Sequence, residues 1–271
     1  MIGKIGSLEV GWHGILMFVG IIVATLLTMR LAAKARISAE SVYISAFWIV
    51  LFGLIGARLI HVLDNLDIYS DHPSEILALW QGGLSWYGGL LGGILGGAIS
   101  ARINKIPLGR FADIVAPGVI LGLSIGRIGC TLNGDAYGTP TSLPWGLVYT
   151  NPNAYAERFV AGHPAAVYEI IWNLIVFAVL WKLKDRIRPD WSLFLTMIAM
   201  YSFGRFFISW VRAEPPVLGP LHQSHIISLV LFTMATALLV LRKAHLATPE
   251  PPKESAEKPI SVSEPGQNQG C

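Results

Sequence analysis

The sequence has few charged residues and almost no cysteine. Both shortages exclude whole classes of protein. Only 14% of the 271 residues are charged and 53% are hydrophobic, whereas soluble chains carry roughly 25% charged residues. This composition excludes an ordinary soluble domain and, up to about residue 246, a disordered chain. The two cysteines, Cys130 and Cys271, are too few for a secreted disulfide scaffold.

The apolar residues fall into seven stretches, each long enough for a membrane-spanning helix, which needs about 20 mostly apolar residues. The stretches cover approximately residues 12–30, 43–64, 84–101, 112–129, 166–183, 191–211 and 224–241. The first is interpreted as a retained anchor, because its apolar run is too long for a signal peptide and its positive charges follow it. The pattern predicts an all-α polytopic membrane protein with about seven transmembrane helices.

The distribution of positive charge predicts the orientation of these helices. Most of the 20 Lys and Arg residues lie in the segments that follow spans one, three, five and seven, and Lys and Arg favour cytoplasmic loops. We therefore expect the N-terminus outside and the C-terminus in the cytoplasm. Because the basic residues are spread over short loops rather than gathered in one patch, nucleic acid is not an expected partner.

The chain is expected to form one transmembrane domain, residues 1–246, followed by a tail. Residues 130–165 make the longest outer loop, which is too long for a plain connection and is predicted to form a small extracytoplasmic cap. Residues 247–271 are rich in Pro, Glu, Lys and Ser, a composition typical of disorder, so a disordered cytoplasmic tail is predicted.

Three arginines, Arg58, Arg127 and Arg205, lie inside predicted spans, each in the outer half of the membrane. A charge inside a bilayer costs about 2.5–3.5 kcal/mol on insertion scales, and three like charges at one depth repel unless an anion joins them. Since the planar guanidinium suits phosphate, they predict a site for an anionic phospholipid head group near the outer leaflet. The alternative is three separate arginines that extend to the interface.

Other polar or small residues accompany these arginines. His61 lies three residues after Arg58, and Tyr201 lies four residues before Arg205, so each pair shares a helix face. In span three, glycines recur every fourth residue between Gly88 and Gly97, which favours close helix packing. A second interpretation is that Gly82–Gly89 forms an irregular entry lining a cavity. There is no P-loop, HExxH or CxxC pattern, so no metal site is predicted.

Several segments resemble the signature of prolipoprotein diacylglyceryl transferases. They are GAR at 56–58, GLSWYGG at 83–89, ADIVAP at 112–117, GRIGCTLNGDAYG at 126–138, HP at 163–164, YE at 168–169, and Tyr201 with Arg205 and Arg212. The resemblance implies transfer of a diacylglyceryl group from phosphatidylglycerol to the lipobox cysteine thiol in the signal peptide of a bacterial prolipoprotein, with release of glycerol 1-phosphate. It also implies a multi-pass protein of the bacterial inner membrane, in contact with membrane lipids, that needs no metal or organic cofactor.

The resemblance also implies roles for individual residues. Arg205 and Tyr201 are the candidates for catalysis, together with Tyr87 at the position of the family's proposed base. His61 is added as a catalytic candidate from its chemistry, because histidine suits proton transfer near pH 7. Substrate binding is assigned to Arg127, Arg58, Asn133, Asp135 and Gly138. Within these sets, Arg127 is expected to bind the lipid phosphate and Arg205 to assist at the reacting centre.

The sequence departs from the family pattern at five positions. Tyr87 stands where members have a His proposed as general base, Cys130 where Asn is usual, Asp135 and Ser209 where Glu is common, and His13 where Tyr is common. Because tyrosine is a poor base at neutral pH, either His61 or His13 takes the proton or no base is needed. The alternatives are a catalytically inactive, phospholipid-binding paralogue and a transporter of an anionic lipid or solute.

Overall fold

The computed structural model describes residues 3–5, 8–78, 82–152, 154–243 and 245–246. Most of these residues lie in helices. The helices are α1 Trp12–Lys34, α2 Ala39–Asp64, the short α3 Leu66–Asp71, α4 Trp86–Ile103, α5 Leu108–Asn133, α6 Ala165–Leu183, α7 Ser192–Ile208 and α8 Gln223–Leu241. Pro73–Leu77 and Ser209–Val211 form 3-10 turns.

Four short two-stranded sheets complete the described secondary structure. The strands are β1 Gly3–Ile5, β2 Leu8–Val10, β3 Leu147–Val148, β4 Ala161–Gly162, β5 Ile187–Arg188, β6 Pro216–Leu218, β7 Leu221–His222 and β8 His245–Leu246. They pair antiparallel as β1–β2, β3–β4, β5–β8 and β6–β7. Each pair is too small to form a core, so the chain is built on its helices.

Six of the described helices are long and apolar enough to cross a membrane: α1, α2, α5, α6, α7 extended to Val211, and α8. The prediction of an all-α polytopic membrane protein is therefore confirmed. Helix α4 is not among the six, and six of its 18 residues are glycine. The seventh span and the outward N-terminus stay predictions, as does a single domain over residues 1–246. The predicted tail, residues 247–271, lies outside the described residues.

Two helix pairs are in backbone contact through glycine. Helix α4 packs along α2, and a Cβ atom added at Gly88, Gly92 or Gly96 would collide with backbone carbonyl oxygens of α2. Helix α1 packs along α5 in the same way, since a Cβ atom at Gly20 would lie 2.7 Å from the carbonyl oxygen of Gly122. The close packing predicted for span three is present in the structure.

Helices α5, α6 and α7 share the main apolar core. Its buried side chains are Ala116, Ile120, Val176, Leu180, Leu193 and Met197. This core lies in the N-terminal halves of α5 and α7 and the C-terminal half of α6. At the other end of these helices, ion pairs hold the C-terminal ends of α5 and α7 beside the N-terminal end of α6. The functional residues described next lie at that shared end.

The segment predicted as a cap packs onto the end of α7. The Thr139 amide donates to the Val211 carbonyl at 2.8 Å, and Gly138 forms an antiparallel bridge with Arg212. A Cβ atom at Gly138 would lie 2.5 Å from the Val211 carbonyl oxygen and 2.6 Å from His163. Only glycine therefore fits this contact, which ties the loop after α5 to the segment that carries Arg212.

Candidate active site

Glu169, in the first turns of α6, is the centre of a buried cluster of arginines. Its side chain is 2% exposed and meets three guanidinium groups from separate elements. Arg127 Nε, from α5, lies 2.5 Å from Glu169 Oε2; Arg212 Nη1, from the loop after α7, lies 2.9 Å from Oε1; and Arg205 Nη1, from α7, contacts Oε1. One carboxylate thus holds three positive charges in place, which we call the arginine cluster.

Glu214 provides a second carboxylate at the edge of the arginine cluster. Its Oε1 lies 2.8 Å from Arg205 Nη2 and 2.6 Å from Arg212 Nε, and the Ser224 hydroxyl donates to Oε2 at 2.6 Å. Partial burial raises the pKa of Glu214. The Ser224 hydrogen bond and the two arginines lower it by more than burial raises it, so the net pKa lies below its usual range. Glu214 is therefore ionised at neutral pH.

The arginine cluster carries an excess of positive charge. Three arginines face two carboxylates, Glu169 and Glu214, which leaves one positive charge unbalanced among these five residues. The three arginine side chains are 14–15% exposed, so the cluster is reachable from one side. An anion with a single negative charge, such as a phosphodiester, would neutralise the charge of these five residues.

Arg58 lies in different surroundings and does not join the arginine cluster. It donates to four backbone carbonyls of the segment that leads into α4: Glu75 at 2.5 Å, Ile76 at 2.8 Å, Gly82 at 2.8 Å and Gly83 at 2.9 Å. Since non-helical backbone at this position needs hydrogen-bond donors, Arg58 stabilises the segment. The sequence analysis predicted that Arg58, Arg127 and Arg205 would share one phosphate. In the structure Arg212, rather than Arg58, lies beside Arg127 and Arg205.

His61 accompanies Arg58. A Cβ atom at Gly83 would lie 2.5 Å from His61 Nε2 and 2.8 Å from Arg58 Nη1, so the positive φ of +72° and the lack of a side chain at Gly83 are both required. The His61 ring also meets the edge of Tyr69, with centroids 6.0 Å apart. The irregular entry expected over Gly82–Gly89 is thus limited to the residues before Trp86, because α4 begins there and includes Gly88 and Gly89. His61 and Arg58 lie against its non-helical part.

Two tyrosines of the predicted site face the arginine cluster. Tyr87, in the first turn of α4, is within electrostatic reach of Arg205 and Glu214 and is 40% exposed. Tyr201, one turn before Arg205 on α7, lies near the charge of Arg127. Both tyrosines therefore lie within electrostatic range of the arginine cluster.

A second group of polar side chains lies on the other side of Arg127. Cys130 Sγ is 3.8 Å from Arg127 Nη1 and 3.4 Å from His13 Nδ1, and His13 Nδ1 is 3.7 Å from Asp135 Oδ2. Helices α1 and α5 touch here, because a Cβ atom at Gly129 would lie 2.8 Å from the His13 backbone. We call His13, Cys130 and Asp135 the thiol cluster.

Asp135 follows the C-terminus of α5, which Asn133 ends and Gly134 caps in the left-handed conformation, with φ +75°. Burial raises the pKa of Asp135, while His13, a hydrogen bond from Asn133 and the charge of Arg127 lower it; the net pKa lies above its usual range. The turn thus brings Asn133 and Asp135 together beside Arg127. Asp135 Oδ1 is buried without a hydrogen-bond partner among the described residues.

The sequence analysis missed the role of three residues. They are Glu169 and Arg212, which the sequence analysis names only as parts of the family motifs, and Glu214, which it does not name. The sequence signal that could have revealed the two glutamates is the excess of intramembrane arginines, because buried charges require partners of opposite sign. At Ser209, where a Glu is common in the family pattern, the hydroxyl donates to the Arg205 carbonyl at 2.7 Å, and Glu214 supplies the carboxylate to Arg205 instead.

Comparison with known proteins identifies the family. The sequence profile described as prolipoprotein diacylglyceryl transferase matches residues 1–241. A protein of Trichormus variabilis named phosphatidylglycerol–prolipoprotein diacylglyceryl transferase is 35% identical over 244 residues, 86% of each chain. Proteins with the same name from Clostridioides difficile and Listeria innocua are 37% and 32% identical and cover 83% and 91% of this chain, and 87% and 90% of their own. The chain therefore belongs to the prolipoprotein diacylglyceryl transferase family.

Proposed function

We propose that the arginine cluster binds the phosphate of phosphatidylglycerol while the diacylglyceryl group passes to a prolipoprotein. The chain is a transferase, and its substrates are phosphatidylglycerol and prolipoprotein, as the names of its relatives indicate. The similarity extends over most of the chain, which does not favour an inactive paralogue or a transporter. What we add is an assignment of this chemistry to residues.

The charge of the arginine cluster is the observation that carries this proposal. Its one unbalanced positive charge matches the single negative charge of a phosphodiester such as phosphatidylglycerol. Glu169 holds Arg127 and Arg205 before the lipid arrives, so little reorganisation is needed on binding. Preorganised charge of this kind is the most effective form of electrostatic catalysis.

In the proposed reaction, the lipobox cysteine sulfur attacks the glycerol carbon that bears the phosphate. A carbon–sulfur bond forms, the carbon–oxygen bond breaks, and the phosphate leaves with the electron pair as glycerol 1-phosphate. The leaving oxygen gains negative charge in the transition state, where Arg127 and Arg205 stabilise it. The sulfur must react as a thiolate, because the neutral thiol is a poor nucleophile.

The other residues of the site shape the pocket or orient the groups within it. Tyr201 orients the lipid or Arg205, and Tyr87 approaches the reacting centre from α4. Asn133, Asp135 and Gly138 shape the head-group pocket beside Arg127. Arg58 and His61 keep the glycine segment open at the entry. This division follows from the contacts of each side chain described above.

We place the reaction at the outer face of the bacterial inner membrane. The ends of α5, α6 and α7 that carry the arginine cluster are the ends opposite the predicted cytoplasmic loops. Phosphatidylglycerol would reach the site from the surrounding leaflet. The prolipoprotein would present its signal peptide and lipobox at the same depth.

Complementation with a matched pair of arginine variants tests the proposal. In cells depleted of their own transferase, the wild-type chain is expected to restore the mass shift of a lipobox peptide. Arg127→Ala should reduce transfer by about a hundredfold or more, the cost of losing a preorganised donor. Arg110→Ala is the control, since Arg110 lies at the opposite end of α5 and makes one exposed hydrogen bond.

Membrane levels of both variants would be compared by immunoblot. Transfer at the wild-type rate by an Arg127→Ala chain present at the wild-type level would contradict the assigned role of Arg127. Loss of transfer in Arg110→Ala at a normal level would show that the site extends beyond the arginine cluster.

A further inference from the structure

We propose that the thiol cluster, His13, Cys130 and Asp135, is a binding site for a divalent transition metal of the zinc class that activates the substrate thiol. The inference rests in part on the proposed function, which supplies that thiol. It departs from the sequence-based expectation of no metal, which relied on patterns local in sequence. The three residues come from α1, from the end of α5 and from the turn that follows, so no local pattern could reveal them.

The geometry of the three ligand atoms fits a tetrahedral metal ion. In tetrahedral zinc sites, ligand atoms about 2.0–2.3 Å from the metal lie roughly 3.3–3.7 Å from one another. Here the imidazole nitrogen of His13 is 3.4 Å from Cys130 Sγ and 3.7 Å from Asp135 Oδ2, and all three atoms lie within 4.8 Å of one another. A small movement of Asp135 would bring all three onto one ion.

The chemistry of the ligands also fits a zinc-class metal. Sulfur, imidazole nitrogen and carboxylate oxygen are the three donor types that zinc accepts. Cys130 and Asp135 contribute two negative charges, which would neutralise a divalent ion, so the occupied site would not repel the nearby arginine cluster. Calcium and magnesium are disfavoured, because they prefer oxygen ligands.

The surroundings of the ligands provide further support. Asp135 Oδ1 is buried without a hydrogen-bond partner among the described residues, and Asn133, at the end of α5, lies beside the same carboxyl group. Arg127 Nη1 points at Cys130 Sγ from 3.8 Å. Groups that orient the ligands in this way are typical of protein metal sites.

Three protein ligands leave the fourth position of a tetrahedral ion open, as in catalytic rather than structural zinc sites. The side chains of His13 and Asp135 are 42% and 27% exposed, so a substrate can reach that position. A thiol that binds a zinc-class ion loses its proton. A metal held by His13, Cys130 and Asp135 would thus lower the pKa of the substrate thiol. The proton would pass to solvent or to the departing phosphate, and the thiolate would attack the lipid carbon as its carbon–oxygen bond breaks.

Arg127 connects the two halves of this arrangement. One edge of its guanidinium meets Glu169 in the arginine cluster, and Nη1 faces the sulfur of Cys130. A thiolate on the metal would therefore lie next to a phosphodiester on the arginines. A metal here would supply the thiol activation that Tyr87, as a weak base, does not.

Cobalt(II) binding to the purified full-length chain tests the site without an activity assay. Cobalt replaces zinc, and a thiolate ligand gives a charge-transfer absorption band. We expect one cobalt per chain with this band in the wild type and in Cys271→Ser, where Cys130 is the single cysteine left. Cys130→Ser should lose the band, and Asn133→Ala should bind the metal about 10–100-fold more weakly.

The Cys271→Ser protein keeps the test decisive even if Cys130→Ser does not fold. No band in that protein, or a band that persists in a folded Cys130→Ser chain, would overturn the metal site. Removal of the metal with a chelator, followed by zinc, separates the two proposals. Full transfer by the metal-free chain would overturn thiol activation and leave the proposed function intact, whereas stoichiometric metal binding in a chain without transfer activity would support the site and contradict the function.

Discussion

At the scale of single residues, Glu169 decides whether the arginines form a site. It lies 2% exposed among three guanidinium groups, and its removal would leave three buried positive charges facing Glu214 alone. Loss of one partner of a buried ion pair costs about 3–5 kcal/mol, mostly because the remaining charge stays unpaired. The arginines of the cluster are therefore stable at this position only while they are paired with Glu169.

The comparison of Glu169→Gln with Glu214→Gln tests this conclusion. Both variants remove one negative charge from the arginine cluster, but Glu214 is 22% exposed and pairs with two arginines rather than three. We expect Glu169→Gln to lower the midpoint of thermal unfolding in detergent clearly more than Glu214→Gln does. Equal midpoints for the two variants would show that Glu169 is not the organising charge.

The residues of the site were only partly predictable from sequence. Arg127 and Arg205 stand out because a charge inside a membrane span is costly, whatever surrounds it. Glu169 lies near a helix end, where a carboxylate is ordinary, and its partners come from two other helices and a loop. Arg58 also lies in a membrane span, but four backbone carbonyls offset the cost of its burial. No sequence pattern distinguishes an arginine bound to carbonyls from one that binds a phosphate.

At the scale of helices, small residues rather than side-chain interlocking bring α2 and α4 together. Each glycine of α4 that faces α2 lies against a backbone carbonyl of that helix. Burying an apolar side chain between two helices gains little free energy within lipid, because the lipid tails are equally apolar. Close backbone contact is therefore a main source of helix association there. The spacing of four residues predicted this contact, because it places the glycines on one helix face.

A pair of neighbouring glycines in α4 offers a test with its own control. A Cβ atom at Gly92 would collide with the Phe52 backbone carbonyl, whereas at Gly93 the nearest atom, in Ile49, is 3.7 Å away. Gly92→Ala should destabilise the chain by about 1–3 kcal/mol, the usual cost of overpacking. Gly93→Ala should leave thermal stability unchanged or slightly raised. Equal stability of the two variants would contradict the backbone contact.

At the scale of the whole molecule, the apolar pattern predicted the positions of the membrane-spanning helices better than it predicted their ends. Helix α1 extends to Lys34 and α2 begins at Ala39, four residues beyond and four before the predicted spans. Polar residues continue a helix past the apolar stretch, because backbone hydrogen bonds do not depend on lipid. The arrangement of the helices around Glu169 depends on contacts between distant segments, which periodicity does not report.

The orientation of the whole molecule remains a prediction with a direct test. Most Lys and Arg residues lie in the segments after spans one, three, five and seven, at the helix ends opposite the arginine cluster, so the N-terminus and the cluster should face outward. Cysteines introduced one at a time at Thr141 and at Arg186, in a Cys271→Ser chain, report the two sides. The Cys271→Ser chain without an added cysteine, which keeps only the buried Cys130, gives the labelling background. We expect a membrane-impermeant thiol reagent to label position 141 in intact cells and position 186 only after the membrane is opened. The reverse pattern would place the site on the wrong side for the proposed reaction.

The central claim is that the arginine cluster recognises the phosphate of phosphatidylglycerol. Native mass spectrometry of the purified chain with equal amounts of phosphatidylglycerol and diacylglycerol, which lacks the phosphate, measures that recognition directly. The wild type and Arg110→Ala should retain phosphatidylglycerol in clear preference, and Arg127→Ala should lose the preference. An unchanged preference for phosphatidylglycerol in a folded Arg127→Ala chain would contradict the claim.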